Sequence, residues 1–220
     1  MELILGIDDA GRGPVIGPMV LAGCLVTDET QKKMKKLGVK DSKELTPKRR
    51  EMLAEKVKEM AETFEIVLAT PTEIDCNFND GSNLNKLEAQ KMAEIINKIN
   101  KGYKKIKVII DCPSTTISTW TDYLKTHIEN LSNLEIVCEH KADKNHIAVS
   151  AASIIAKHIR EKEMDKLKEV YGQEIGSGYC SDPATIKFLE THVDKHEGLF
   201  RKTWETWKVA FNKLGQKRLA

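Results

Sequence analysis

Asp8 and Asp9 stand side by side in Gly6-Ile7-Asp8-Asp9-Ala10-Gly11-Arg12-Gly13, delivered by the apolar run Leu3, Ile4, Leu5 and Ile7 into a glycine-rich turn. Adjacent carboxylates at the end of a buried strand repel one another, and a cation is the usual means of keeping both ionised. Two further acids share that placement. Asp111 closes the apolar run Ile106 to Ile110, and Asp143 follows the run Leu134 to Val137 inside Glu139-His140-Lys141-Ala142-Asp143. The strand ends of an open α/β sheet are where sites form. Four carboxylates converging there can bind two Mg²⁺ or Mn²⁺ ions, the arrangement for in-line displacement at phosphorus. Any one of these acids alone could equally cap a helix or bind a surface lysine; the four together carry the metal reading.

Gly11-Arg12-Gly13-Pro14-Val15-Ile16-Gly17 resembles a phosphate loop only in its glycines. It has no Lys-Ser or Lys-Thr pair, and a strand rather than a helix follows it. It reads instead as a tight hairpin whose backbone groups can approach a ligand closely, with Arg12 available for a phosphate contact.

The elements that must position these residues alternate along the chain. A strand over residues 2–9 is followed by a hairpin partner over Met19 to Val26. After the polar Lys40-Asp41-Ser42-Lys43 loop, Thr46-Pro47 supplies an N-cap and first-turn proline for a helix carrying Leu53, Val57 and Met60. Phe64 to Leu68 is a third strand, ended by Pro71. Asn83 can cap a helix with the stripe Leu84, Leu87, Met92, Ile95, Ile96 and Ile99. The strands ending near Asp111 and Val137 come next. A long helix, Val149 to Tyr171, opens on the small residues Ser150, Ala151 and Ala152. A loop from Gly176 to Asp182 leads to two C-terminal helices, the last with Trp204, Trp207, Phe211 and Leu214 on one face. The order β-β-α-β-α-β-α-β-α indicates a mixed α/β sheet flanked by helices. The helices beyond residue 172 are expected as a small C-terminal appendage.

The chain has 220 residues, 40% of them hydrophobic and 31% charged, with a formal net charge of +2. That is the profile of a globular protein with an adequate core and no global basic field, so any nucleic-acid surface must be local. Lysines cluster at Lys32 to Lys43, Lys98 to Lys107 and Lys202 to Lys217, each run also explicable as a solvated helix face. Five widely spaced cysteines without a C-x-x-C pair argue against a zinc ribbon or a disulfide scaffold and for a reducing compartment. The absence of a leader pattern or a bilayer-length apolar run points to the cytoplasm and to no membrane partner. His192 and His196, at i, i+4 on an expected helix, lack a third zinc ligand, and Cys138 and His140 are given no metal role. Trp204, Trp207 and Phe211 are expected in the core of the last helix, with Arg201, Lys202 and Lys208 able to touch a duplex backbone.

The segments GIDDAGRGPVIGPMV, KDSKEL, the strand ending at Asp111, EHKAD followed by VSAASIIAK, and GSGYCSDP together resemble type 2 ribonuclease H, in its archaeal single-chain form, from residue 3 to about Trp207. The resemblance implies an RNase H-like catalytic domain over residues 1–172, and an appendage over 173–220 that contributes to substrate binding. It implies an endoribonuclease that hydrolyses the RNA strand of RNA–DNA hybrids. It also implies nicking of duplex DNA 5′ of embedded ribonucleotides, leaving 3′-hydroxyl and 5′-phosphate ends. The metal-binding catalytic acids it implies are Asp8, Asp9, Asp111 and Asp143. The Gly11-Arg12-Gly13 backbone would sense the 2′-hydroxyl, the group that distinguishes RNA from DNA. Tyr179 would stack on the next deoxyribose, and Lys43 would contact a phosphate. The protein is expected to act as a monomer.

One residue departs from the family pattern: Asp9 stands where a glutamate is usual. Its carboxylate is shorter by about one bond, and misplacement of about 1 Å can cost a hundredfold in rate. An active enzyme with a shifted metal preference is the expected reading. The alternatives are a hybrid-binding protein with impaired catalysis and a different RNase H-like nuclease. The tail Gln216-Lys217-Arg218-Leu219-Ala220 has the first half of the Q-x-x-L-plus-aromatics peptide by which members of the family bind a sliding clamp.

Overall fold

The structure, a computed structural model, describes residues 2–219, with side chains through residue 216. The clamp-like tail from Lys217 onward lies outside the described side chains, and Ala220 outside the described residues. The strands are β1 (Leu3–Ala10), β2 (Met19–Thr27), β3 (Thr63–Ala69), β4 (Ile106–Asp111) and β5 (Leu134–Glu139). The helices are α1 (Asp28–Lys36), α2 (Pro47–Met60), α3 (Pro71–Asn79), α4 (Leu84–Ile99), α5 (Ile117–Lys125), α6 (Ala142–Asn145), α7 (Ile147–Tyr171), α8 (Pro183–His192) and α9 (Glu205–Leu219).

Among the described residues the strands form one mixed sheet in the order β3-β2-β1-β4-β5. β2 lies antiparallel to β1, with Leu3 opposite Thr27 and Ala10 opposite Val20. β4 runs parallel to β1, and β5 parallel to β4. The expected mixed sheet flanked by helices is therefore present, and its parallel centre places the ends of β1, β4 and β5 at one edge. No helix among the described residues is long and apolar enough to cross a membrane.

The chain divides into two compact units. The first gathers the residues up to Ala10 with Val20–Leu68 and Asn85–Ile159; the second gathers Gly11–Met19, Ala69–Leu84 and the residues from Arg160 on. In the first unit the first half of α7 packs on the sheet through Ala148, Val149, Ala151, Ala152 and Ile155, all buried. Gly6 makes that contact possible. A Cβ there would sit 2.1 Å from the Ala148 carbonyl carbon, closer than any real side chain approaches a backbone. In the second unit Val15, Ile16, Ile175, Phe188, Val193 and Phe200 form a separate core, with Trp204, Trp207 and Leu214 packed against it. Phe211 is not part of that core. It is exposed and stacks on Trp207 at a centroid distance of 4.8 Å.

Three helices, α1, α3 and the short α6, lack a counterpart in the sequence expectation. α1 buries only Met34, so its apolar stripe is a single residue. α3 begins at Pro71, which both ends β3 and occupies the first turn of a helix. Thr70 and Glu73 close a reciprocal capping box around that start. His192 and His196 do not share a helix: α8 stops at His192, and His196 adopts a left-handed φ of 56°. Their rings stack at 5.5 Å, and no third ligand among the described residues joins them, so the helix-borne pair is corrected to a contact between a helix end and a loop.

Candidate metal centre and recognition turn

The first unit brings three of the four expected acids together. Asp8, Asp111 and Asp143 each offer a carboxylate oxygen, and these oxygens lie within 4.8 Å of one another. Strand register explains the convergence, because the parallel β1 and β4 end side by side. Asp143 arrives from the turn after β5. There Lys141 takes a left-handed φ of 60° and starts α6, and Ser150 Oγ donates to the Asp143 carbonyl at 2.6 Å. The Ala142 N–H donates to Asp111 Oδ1 at 3.2 Å, fixing the rotation of that carboxylate.

Asp9 falls outside the set. Asp9 follows Asp8 on β1, where successive side chains alternate between faces, and its carboxylate is not among the three converging oxygens. Its influence is electrostatic. Burial pushes the Asp8 carboxyl well above the usual range; the charges of Asp9 and Asp111 push it further, against a Ser153 hydrogen bond and the Asp9 N–H that pull it down. Asp111 is also raised, first by burial. Closely spaced buried carboxylates of this kind are hard oxygen donors suited to Mg²⁺ or Mn²⁺.

Behind the acids lies a polar chain that sequence reasoning passed over. Lys157 donates to Ser42 Oγ, and Ser42 and Ser153 share a hydroxyl hydrogen bond of 2.8 Å. Burial lowers the Lys157 pKa, while the charges of Asp8, Asp143 and Asp41 hold it up against Lys43. Ser42 and Lys157 sit inside KDSKEL and VSAASIIAK, so the signal was present. Ser153 also sits inside VSAASIIAK, directly after the small residues Ser150, Ala151 and Ala152. Lys43 is exposed, as a phosphate contact requires. Its backbone N–H is held by Asp41 at 3.0 Å.

The sign of the pH dependence follows from the raised carboxyls. Folded Asp8 and Asp111 keep protons that the unfolded chain releases near the ordinary aspartate value of 3.8. The contribution of these two groups to metal-free stability is therefore fully present at low pH and is lost as pH rises through their raised folded values. A divalent cation competes for the same oxygens, so the rise in Tm on adding Mn²⁺ should be larger at pH 7 than at pH 5. Thermal melts in EDTA and in Mn²⁺ at both pH values check this, and an equal shift at both would contradict it.

The second unit holds the glycine turn and the tyrosine loop. Gly11 has a φ of 82°, a conformation that an L side chain strains to adopt. Gly13 is exposed with nothing within 4 Å of where a Cβ would stand, and Arg12 is half-buried. The Gly178 carbonyl accepts from the Val15 and Ile16 N–H groups at 2.9 and 3.3 Å, tying the loop of Tyr179 to the turn. Tyr179, 39% exposed, lies under the Arg160 guanidinium at 4.7 Å from the ring centre, and Arg160 Nη2 donates to the Ser177 carbonyl at 3.0 Å. Burial lowers the Arg160 pKa, opposed by Tyr179 and Glu161. Neither Arg160 nor Arg201 was marked by the sequence as part of this turn. Arg201, expected to reach a duplex backbone, is fully buried and cannot do so.

The ribonuclease HII family model matches residues 5–207. Ribonuclease HII of Methanococcus maripaludis (strain C7) is 41% identical over 221 residues, covering 99% of this chain and 91% of its own. The chain belongs to the ribonuclease HII family. Membership makes it an enzyme, a metal-dependent endoribonuclease with ribonuclease H activity. Among solved structures, the ribonuclease H2 from Pyrococcus horikoshii OT3 superposes with a TM-score of 0.87 at 35% identity, over 97% of this chain and 99% of that one. The ribonuclease HII of Archaeoglobus fulgidus, solved in complex with PCNA, superposes with a TM-score of 0.80 at 35% identity, over 94% of each chain.

Proposed function

We propose that the protein hydrolyses the RNA strand of RNA–DNA hybrids and nicks duplex DNA 5′ of an embedded ribonucleotide, leaving 3′-hydroxyl and 5′-phosphate ends. The observation that carries this reading is the convergence of Asp8, Asp111 and Asp143 within 4.8 Å. Asp8, Asp111 and Asp143 would hold the divalent cations, Mg²⁺ or Mn²⁺, with Asp9, next to Asp8 on β1, as the fourth acid of the site. Held there, two such ions would supply activation of the attacking water and stabilisation of the leaving 3′-oxygen.

The remaining roles belong to the chain's own side chains and backbone. Lys43, exposed beside Asp41, contacts a phosphate, and Arg12 contacts another. The Gly11-Arg12-Gly13 backbone meets the 2′-hydroxyl, the one sugar group absent from DNA. Only Ala10 separates Asp9 from that turn in the sequence. The Tyr179 ring, held by Arg160, stacks on the neighbouring deoxyribose. The helices of the appendage contribute to gripping the duplex. A sliding clamp is a candidate partner by likeness to the Archaeoglobus protein, solved with PCNA, although the tail from Gln216 carries only the first half of the binding peptide and no aromatic pair. The protein works as a monomer in the cytoplasm.

A duplex with a single ribonucleotide, an RNA–DNA hybrid and an all-DNA duplex, each with and without Mn²⁺, test this reading. The first two are cut only with metal, and the third is not cut. Asp9→Glu should change the ratio of Mg²⁺ to Mn²⁺ rates by up to roughly tenfold, through its longer reach. An inactive native chain made fully active by Asp9→Glu would overturn the active-enzyme reading in favour of a hybrid-binding protein.

A further inference from the structure

Among the described residues Arg201 is the largest fully buried side chain, at 0% exposure. Its donors are spent on the glycine turn. Nη2 donates to the Gly11 carbonyl at 2.6 Å and to the Gly17 carbonyl at 3.0 Å, Nη1 to the Arg12 carbonyl at 2.8 Å, and Nε to the Gly17 carbonyl at 3.1 Å. The Trp204 ring lies against the guanidinium at 5.0 Å, and its Nε1–H donates to the Gly13 carbonyl at 3.1 Å. Thus the carbonyls of Gly11, Arg12 and Gly13 are all engaged from beneath by two residues of one segment.

Peptide geometry turns that grip into an orientation. Among the described residues no peptide is cis, so each N–H points opposite to the carbonyl of the same peptide plane. The Gly11 carbonyl shares its plane with the Arg12 N–H, and the Arg12 carbonyl with the Gly13 N–H. Both N–H groups therefore point away from the buried guanidinium. A cation on the carbonyl side also polarises each amide, which strengthens its N–H as a donor.

The segment bearing Arg201 is itself pinned. The Arg201 N–H donates to the Val15 carbonyl at 2.9 Å. Asp75 of α3 accepts from the Lys202 and Thr203 N–H groups at 2.8 and 2.9 Å and from Thr203 Oγ1 at 2.6 Å.

We propose that Arg201 is a positioning residue for ribonucleotide specificity: its buried guanidinium, seconded by Trp204, aims and polarises the Arg12 and Gly13 N–H groups toward the ribose 2′-oxygen. This rests on the reading of the glycine turn given above. Arg201 touches no substrate and acts only through the turn. Lysine cannot replace it fully, because a point charge cannot serve carbonyls at the spacing of a planar fork.

The test compares Arg201→Gln, Arg201→Lys and Trp204→Phe with the native chain. Binding is measured without divalent metal to two duplexes that differ only in one 2′-hydroxyl, and kcat and KM are measured with Mn²⁺ on the ribonucleotide duplex. Arg201→Gln should erase the native preference for the hydroxyl-bearing duplex while keeping affinity for the all-DNA one, with kcat/KM down by roughly ten- to a hundredfold. Arg201→Lys should recover part of the preference. Trp204→Phe, which keeps the ring and loses one donor, should weaken it by a few-fold. If Arg201→Gln does not fold, the other two variants decide by the same readouts. An unchanged preference in the folded variants overturns the proposal, as does equal weakening on both duplexes with a lowered Tm, which marks a merely structural role. A native chain with no preference at all would instead defeat the reading of the turn.

Discussion

Asp8→Asn should abolish cleavage of a ribonucleotide-containing duplex and at the same time raise the thermal stability of the metal-free protein at pH 7. The two effects have one cause. Asp8 is buried beside Asp9 and Asp111, and its carboxyl is pushed well above the usual range by that burial and those charges. An amide of nearly the same shape removes the repulsion, a gain on the order of 1 kcal/mol of the kind found when a strained functional site is relaxed. It also removes a ligand from the set whose oxygens lie within 4.8 Å. Cation stabilisation worth several kcal/mol corresponds to about a thousandfold in rate at 1.36 kcal/mol per tenfold. Melting curves in EDTA and steady-state assays in Mn²⁺ on the same preparation check both halves. A variant that is both less stable and still active would contradict the assignment.

Gly11→Ala should lower kcat/KM by about a hundredfold and also lower Tm. The added Cβ would lie 2.4 Å from Arg160 Nε and 2.5 Å from its Cδ, on a backbone with φ of 82°. Arg160 cannot swing clear without cost, because it donates to the Ser177 carbonyl and packs over Tyr179. The substitution thus moves the turn and the tyrosine loop together. Gly13→Ala is the informative contrast. Its Cβ meets nothing within 4 Å, so Tm should hold while cleavage still falls, the methyl obstructing only the ligand. Equal losses of Tm in the two variants would mean that the turn serves folding alone.

The central sheet was legible because its strands are apolar runs that end in chemistry. Asp8 closes one buried run and Asp111 another, and hydrophobic periodicity finds such runs without knowledge of contacts. α1 was not legible, since Met34 alone faces inward and one residue makes no stripe. α3 was hidden by Pro71, a residue that ends a strand and opens a helix equally well; Thr70 and Glu73 spell its capping box and decide the matter. Three of the four expected acids converge, Asp8, Asp111 and Asp143, while the Asp9 carboxylate is not among the converging oxygens. Arg201 was misread because a charged residue among Lys202 and Lys208 looks like surface. Its burial depends on Gly11, Arg12 and Gly17, more than 180 residues earlier in the chain, and no local pattern reports a partner so distant.

The most direct test of the account is to map the ends made on a DNA duplex carrying one ribonucleotide. The account predicts a single Mn²⁺-dependent nick on the 5′ side of that ribonucleotide, with a 3′-hydroxyl upstream and a 5′-phosphate on the ribose. A cut on the 3′ side leaving a cyclic phosphate, or cutting that persists in EDTA, would contradict it. The first result would show that the ribose hydroxyl itself attacks, and the second that no divalent metal is needed; either would mean that a metal held by Asp8, Asp111 and Asp143 does not direct the chemistry.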